Sequence, residues 1–592
     1  MNPISKKEDI VADTVEIFGL SLDKNQIKAA TSPASRLAII ASAGSGKTRV
    51  ITQRIKYLCE TTELKPNQVV AITFTRKAGF ELAKRIRTVL GESNRLHPIV
   101  GTLHSFVMNE LIDFHGEKKI STDSIIDKPE KILQTLNVKN SFQVARAIGW
   151  CKSNLVFPQH LNDAIITNIR RHIRISPREF TLDSFKKDWE VYENFLSKNH
   201  KYSHDDLLIK YIQLLEDPSY LETRQYLYRH LFVDEFQDST RAHVEIFKRL
   251  VGDKCSISVV GDPDQSIFSF AGSDEKYLND FSNYFPGANI EFLSTNYRST
   301  KANVEIARSV LGAKGKQRNI DTPRLSTVLP KLHLFSDEES EADGIMSLLM
   351  SSHARGIPFA EMGVLVRTNK QKDLIMSAAN RLGIAFHRGR RIELNETAQE
   401  VFETVNKLRR KRRWKSVYDA LDDISSIENE DDTKKELYKK LRIAAREYMD
   451  LFSYDRQGDV NGFFEYLELS ITGAKDSRDG FSLLTFHQAK GLEFHTCIVS
   501  GFEKNLVPLY TDRSRKEEEA RLAYVALSRA SDELHITRAK VRTLFDKVCV
   551  QQDSEFLAAI EANITDIDLR QDFFTTKDAL KRISDIRAKH LE

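Results

Sequence analysis

The chain has 592 residues, 29% of them charged, and its acidic and basic side chains balance to a formal charge of +4. That length exceeds one small domain and leaves room for about four, each able to bury a core. A hydrophobic fraction of 41% excludes global disorder. Apolar runs such as 37–41 and 69–72 fall far short of the ~18 residues a spanning helix requires, so no membrane is expected as a partner. A charge this near neutral does not by itself indicate nucleic acid, which must be argued from local motifs.

The opening MNPISKKEDIVADT puts acids where a secretory leader carries its apolar stretch, and a cytoplasmic location is expected. Cys59, Cys151, Cys255, Cys497 and Cys549 lie far apart with no C-x-x-C pair, against a zinc finger, an iron–sulfur cluster or a disulfide framework. From residue 36 to about 103, short apolar runs at 37–40 and 69–74 alternate with amphipathic stretches, the grammar of a parallel sheet. Residues 105–224 read as helices rich in Lys, Asp and Asn. Strand patterns return at 231–233, 257–260, 362–366, 482–486 and 497–500, and 391–480 is again helical and highly charged. The expected fold is α/β: two RecA-like parallel-sheet domains of the P-loop class, each interrupted by a helical insertion. The boundaries expected are 1–104 with 225–290 for the first core, 105–224 for its insertion, 291–390 with 481–545 for the second core, and 391–480 for a short second insertion. Residues 546–592 are expected to form a helical extension.

The sharpest motif is ASAGSGKT at 41–48, between a strand pattern and an amphipathic helix. Gly44 and Gly46 let backbone N–H groups converge on phosphates, Lys47 brings a point charge to the β- and γ-phosphates, and Thr48 can ligate Mg²⁺. The run LFVDEFQD at 231–238 ends a strand in two carboxylates. Asp234 suits Mg²⁺, and Glu235 can orient and deprotonate an attacking water. Acids at strand ends also occur on plain surfaces, but a phosphate loop upstream favours the catalytic reading. The strand at 257–260 runs into GDPDQSIFSF, where the Gln265 amide can touch a γ-phosphate and Phe268 and Phe270 either face bases or pack in the core. Arg298, in NYRS, and Arg529, in YVALSRA, are either arginine fingers or surface ion-pair partners.

These segments resemble, in order and spacing, the superfamily 1 DNA helicases of the UvrD, Rep and PcrA type over most of the chain. LDKNQ at 22–26 is similar to the adenine-reading Q motif, with Gln26. AITFTRKA at 71–78 and GTLHS at 101–105 resemble the strand-contacting motifs, with Phe74, Thr75 and His104. DDLL at 205–208 resembles the motif closing the first insertion. LSTNYRS at 293–299 is similar to the motif in which Tyr297 stacks on adenine and Arg298 is a finger. VLVRTN at 364–369 resembles a second-core motif, bringing Arg367. TFHQAKGLE at 485–493 resembles the segment whose Glu493 reaches the ribose and whose His487 lies near DNA, and 517–530 resembles the last motif. Phe270 stands where a Trp is frequent, Ala271 where an Arg is common, and Arg76 where an Asn is usual.

The resemblance implies an ATP- and Mg²⁺-dependent single-stranded DNA translocase and 3'-to-5' helicase acting on single strands and duplex junctions. Its nucleotide set is Gln26, Ala43, Gly44, Ser45, Gly46, Lys47, Thr48, Arg49, Tyr297 and Glu493, with Thr48 and Asp234 on the metal. Lys47, Glu235, Gln265, Arg298 and Arg529 would carry catalysis, and Phe74, Thr75, His104, Phe268, Phe270, Arg367 and His487 would meet DNA. The alternative is a DNA-end-sensing regulatory ATPase that controls a partner such as a nuclease, or another repair or defence protein, without processive unwinding. A small-molecule kinase would leave the second-core motifs without a task. KLRRKRRWK at 407–415 holds seven Lys or Arg in nine residues and is either a solvated face or a duplex-phosphate contact. Arg170, Arg171, Arg174 and Arg178 pose the same choice, and His204 and His243 are expected to be structural. The oligomeric state is left open.

Overall fold

The computed structural model describes residues 15–568, apart from 18–19, 92–95, 116–119, 121–123, 174, 177, 314, 316–317, 326–327, 389–399, 402, 406, 409–416, 428–431, 452–462, 465, 468–479, 510–512, 545–546 and 562–565. Arg174 and most of the basic run 407–415 lie outside the described residues.

Six parallel strands form the first sheet: β1 (Arg36–Ala41), β2 (Val69–Thr73), β3 (Ile99–Thr102), β4 (His230–Val233), β5 (Ser256–Gly261) and β6 (Asn289–Leu293), in the spatial order β6-β1-β5-β4-β2-β3. Residues 37–41 of β1 and all of β2 and β4 are buried, as expected of strands covered on both faces. Each strand delivers a motif at its carboxyl end, where ligands collect in open α/β sheets. β1 leads into the phosphate loop, β2 into Phe74 and Thr75, β3 into His104, β4 into Asp234 and Glu235, β5 into Asp262 to Gln265, and β6 into Asn296 to Ser299.

Four helices flank these turns: α1 (Lys24–Thr31), α2 (Lys47–Thr61), α3 (Arg76–Leu90) and α4 (Leu103–His115). The first helical region divides by packing. Phe106, Val107 and Leu111 of α4, with Leu207, Leu208 and Tyr211 further on, join the core of the sheet itself. The separate body is built by α5 (Ser141–Ser153), α6 (Asp163–Ile173) and α7 (Leu182–Lys198), closed around Val144, Ile148, Ile166, Phe185 and Trp189.

The second sheet comprises β7 (Lys331–Asp337), β8 (Met362–Val366), β9 (Phe386–His387), β10 (Phe481–Thr485), β11 (Phe494–Ser500), β12 (Ala530–Leu544), β13 (Lys547–Val550) and β14 (Asp566–Asp568). Its order is β9-β10-β8-β11-β12-β7-β14, with β13 antiparallel on β12. The expectation of a helical extension after 545 is therefore corrected for 547–568, whose β-branched KVCV run pairs as a strand and whose Leu557–Glu561 is the one helix among its described residues. A long helix, α8 (Arg513–Leu527), precedes β12 and meets the first core, where Arg521 Nη1 donates to Glu275 Oε1 at 2.6 Å. Helix Asp432–Leu451 of the second insertion leans on α3, where the Phe80 ring meets Tyr448 at 6.0 Å and, further along the insertion, Tyr466 at 5.1 Å; helix Val417–Ser425 packs on Asp432–Leu451.

Candidate nucleotide cleft and strand track

The phosphate loop turns twice through the left-handed region, at Gly44 (φ 71°) and Gly46 (φ 81°), where a side chain is strained. A Cβ on Gly44 would meet Arg298 Cβ and Asn296 Oδ1 at 2.7 Å, and one on Gly46 would meet Gln26 Nε2 at 2.9 Å. The glycines therefore leave a cradle between α1, the loop and residues 296–298. Gln26 Nε2 donates to Ser45 O at 3.0 Å, and Tyr297 N donates to Gly44 O at 2.9 Å. Asp23 caps α1 and also accepts from the Tyr297 hydroxyl, which fixes the ring while leaving it 39% exposed. The N-terminus of α2 begins at Lys47 with its orphan N–H groups toward the cradle, a setting suited to anions.

The sequence gives no sign of how this corner is held. Arg54, on α2 and buried, donates to Ser258 Oγ at 2.8 Å and to the carbonyls of Ala29, Ser32 and Ala34 at 3.2, 2.7 and 3.0 Å. It ties the end of α1 to the loop helix and the sheet, and burial draws its pKa down to about 10.

Asp234 and Glu235 sit side by side at the end of β4, Glu235 in the left-handed region with a φ of 52°. Glu235 N donates to Asp234 Oδ1 at 2.9 Å, and Gln237 Nε2 donates to Glu235 Oε2 at 2.5 Å. Burial and the neighbouring Glu235 charge raise the pKa of Asp234, against Lys47. Burial opposes ionisation of Glu235 as well, but Lys47, Lys490, the Gln237 amide and Arg529 overcome it and hold its pKa below the usual range. Two adjacent carboxylates, Asp234 buried and Glu235 partly so, the first lacking enough positive charge to ionise readily, suit a divalent cation at the end of β4.

The second core closes this site. Arg529 is buried, and its Nη2 reaches across to Gln265 Oε1 at 3.3 Å while its Nε and Nη1 hold Val525 O and Leu492 O at 2.8 and 3.0 Å. Burial first, then the nearby Arg298, lower its pKa to about 10, so its charge lacks a full counterion. Arg298 Nε donates to Glu493 Oε2 at 2.7 Å. Lys490 Nζ donates to Asp238 Oδ2 at 2.5 Å and Gln265 O at 2.7 Å, and lies 5.0 Å from the Phe268 ring centroid.

On the far side of Lys490 runs a line of rings. Phe74, 38% exposed, stacks on Phe268 with centroids 6.2 Å apart and planes 6° from parallel. Phe268 meets Phe270 at 5.9 Å, and Phe270 meets His487 of the second core at 6.0 Å. Phe74 also touches His243 at 6.1 Å, and His104 lies 5.9 Å from both His243 and His204. His204 and His243, read from sequence as structural, thus join the ring line. Burial, then His243, His204 and Arg76, lower the His104 pKa to about 3, and burial lowers that of His243 to about 4. Both are neutral rings at neutral pH. Thr75 is occupied in capping α3. Arg367 departs from the expected strand set: it is buried, and its Nη2 donates to Glu519 Oε1 at 2.5 Å and its Nε to Oε2 at 3.2 Å. Its guanidinium is held inside the second core.

Residues 22–286 match the model of the UvrD/REP helicase N-terminal domain, and 292–397 with 390–541 match the UvrD-like helicase C-terminal domain. The ATP-dependent DNA helicase PcrA of Staphylococcus aureus is 24% identical over 643 residues, which cover 92% of this chain and 86% of that protein. Its namesake in Staphylococcus epidermidis is 24% identical over 645 residues, with 92% and 87% covered. With both domain models spanning the two sheets in order, and the glycine cradle, paired carboxylates and cross-cleft arginine in place, the chain belongs to the UvrD/Rep helicase family.

Proposed function

We propose that the protein hydrolyses ATP to translocate along single-stranded DNA and separates duplex in the 3'-to-5' direction. The observation that carries this reading is the shared junction at Lys490, whose ammonium is bonded to the nucleotide-side Asp238 and lies over the strand-side Phe268. A change in cleft closure must move that lysine relative to the rings.

In this reading Gln26 and Tyr297 hold the base, the loop and Lys47 hold the phosphates, and Glu493 is placed for the ribose. Glu235 orients the attacking water, and Arg298 and Arg529 balance charge that develops on the γ-phosphate. Mg²⁺, held by Thr48 and Asp234, supplies phosphate charge neutralisation. The rings from His104 to His487 offer π-faces to successive bases, a recognition that tolerates sequence. No described helix is long and apolar enough to cross a membrane.

Strand displacement on duplexes tailed at either the 3' or the 5' end, with ATP turnover followed in parallel, tests the reading. Displacement from the 3'-tailed substrate is expected. Strand-stimulated turnover without displacement would favour a regulatory ATPase that serves a partner such as a nuclease, and displacement only from the 5' tail would overturn the polarity.

A further inference from the structure

The ring line ends at Phe270 against a residue from a different part of the chain. Arg146 projects from α5 of the first insertion, and its guanidinium carbon lies 5.1 Å from the Phe270 centroid and 5.8 Å from that of Phe142, one helical turn earlier and 56% exposed. The opposite face of α5, with Val144, Ala147, Ile148 and Cys151, is sealed in the insertion core. Among the described residues Arg146 donates no hydrogen bond and forms no ion pair, although it is half-buried.

Its charged surroundings are of both signs. Burial, then Arg515 of α8, lower its pKa, and Glu518 works against them. Glu518 is itself held by the Ser269 hydroxyl at 2.6 Å, and burial raises its pKa. His172, stacked on Trp150, is pushed down by burial and then by Arg515, Arg171 and Arg146. Cations from the insertion and from the second core therefore converge where the first core presents Phe270. A half-buried guanidinium without an acceptor among the described residues leaves hydrogen-bonding capacity that an anion can fill.

We infer that Arg146 binds a phosphodiester of single-stranded nucleic acid, with the adjoining base against Phe142 or Phe270, so that the first insertion forms one jaw of the strand track. The assignment rests on the strand-binding reading above and adds a residue to it from outside the two cores. A guanidinium serves both tasks, since it can lie over a ring and still offer N–H donors to phosphate oxygens.

The test is equilibrium binding of a fluorescent oligodeoxythymidylate to the full chain across a salt series, with Arg146→Gln, Arg146→Ala and Arg146→Lys. Removing the charge should weaken binding about tenfold and reduce the salt slope by about 0.7, the value for one phosphate on a single strand. Arg146→Lys should keep the slope but lose affinity. Thermal midpoints and strand-free ATP turnover should stay at wild-type values, because Arg146 touches nothing in the nucleotide cleft. Wild-type affinity and slope in Arg146→Gln would overturn the inference, as would a loss confined to duplex. Absence of single-strand binding by the wild type would instead bring down the reading on which it rests.

Discussion

Lys490 of the second core and Asp238 of the first form an ion pair at 2.5 Å with both side chains buried, 8% and 1% exposed. The pair costs desolvation on both sides, and breaking it leaves an uncompensated charge, at about 3 to 5 kcal/mol in typical proteins. Such a link favours two discrete arrangements of the cores, joined or apart, over a continuum.

Asp238 also sets a pH dependence. Burial raises its pKa to about 6, with Lys490 opposing and Glu235 adding to the rise. Because the folded value lies above the ordinary ~3.9, the Asp238 contribution to folding stability is fully present below that ordinary value and lost as pH rises through the folded one. The ionised form that pairs with Lys490 behaves oppositely. Strand-stimulated turnover should fall on acidification with a midpoint near 6, while Asp238→Asn should be slow and flat over that range. An unchanged acid limb in Asp238→Asn would assign it to another group.

Arg298 and Arg529 face the cleft from residues after β6 and before β12. Either Ala variant should lower kcat roughly a thousandfold or more, with a smaller change in ATP affinity, and Lys should not restore it because the planar fork is lost. Rapid-quench turnover with saturating strand measures this. An Arg529→Ala enzyme of normal kcat would remove it from catalysis.

Lys47→Ala and Glu235→Gln should both stop turnover and differ in binding. In the proposed mechanism Lys47 serves ground and transition states alike, whereas Glu235 acts on the water, so Glu235→Gln should retain nucleotide. Equilibrium dialysis with labelled ATP separates the two, and near-normal hydrolysis in Glu235→Gln would refute its role.

Phe74, Phe268 and Phe270 should each weaken strand binding by about 1 to 3 kcal/mol when changed to Ala. Strand-free turnover should survive in Phe74→Ala and Phe270→Ala. Phe268→Ala is expected to disturb both functions, since its ring also lies under Lys490. Unaltered strand affinity in all three variants, with folding intact, would return these rings to a packing role.

The nucleotide cleft was legible because its parts are local: a glycine turn after an apolar strand, and carboxylates at a strand end. The apolar runs at 37–40, 69–74 and 257–260 were readable as strands for the same reason. What escaped depends on partners distant in sequence. β6 is an edge strand with Asn289 and Phe292 exposed, so it lacks a buried apolar run, and β12 carries Glu533, His535 and Arg542 inside the fold because partners pair with them there. Arg54, Lys490 and Arg146 look like ordinary surface cations until the chain brings carbonyls, Asp238 and Phe270 against them. The Arg367–Glu519 pair was illegible for the same reason, since a cation inside a motif gives no hint that Glu519, 152 positions on, will pair with it.

In the proposed cycle, hydrolysis and strand contact are coupled through the junction between the cores. The most direct measurement is steady-state ATP turnover of wild type and Lys490→Ala, each with and without saturating single-stranded DNA. Strong stimulation of the wild type is expected, with that stimulation lost in Lys490→Ala while ATP still binds. Equal stimulation of both proteins, or a wild type indifferent to the strand, would contradict it.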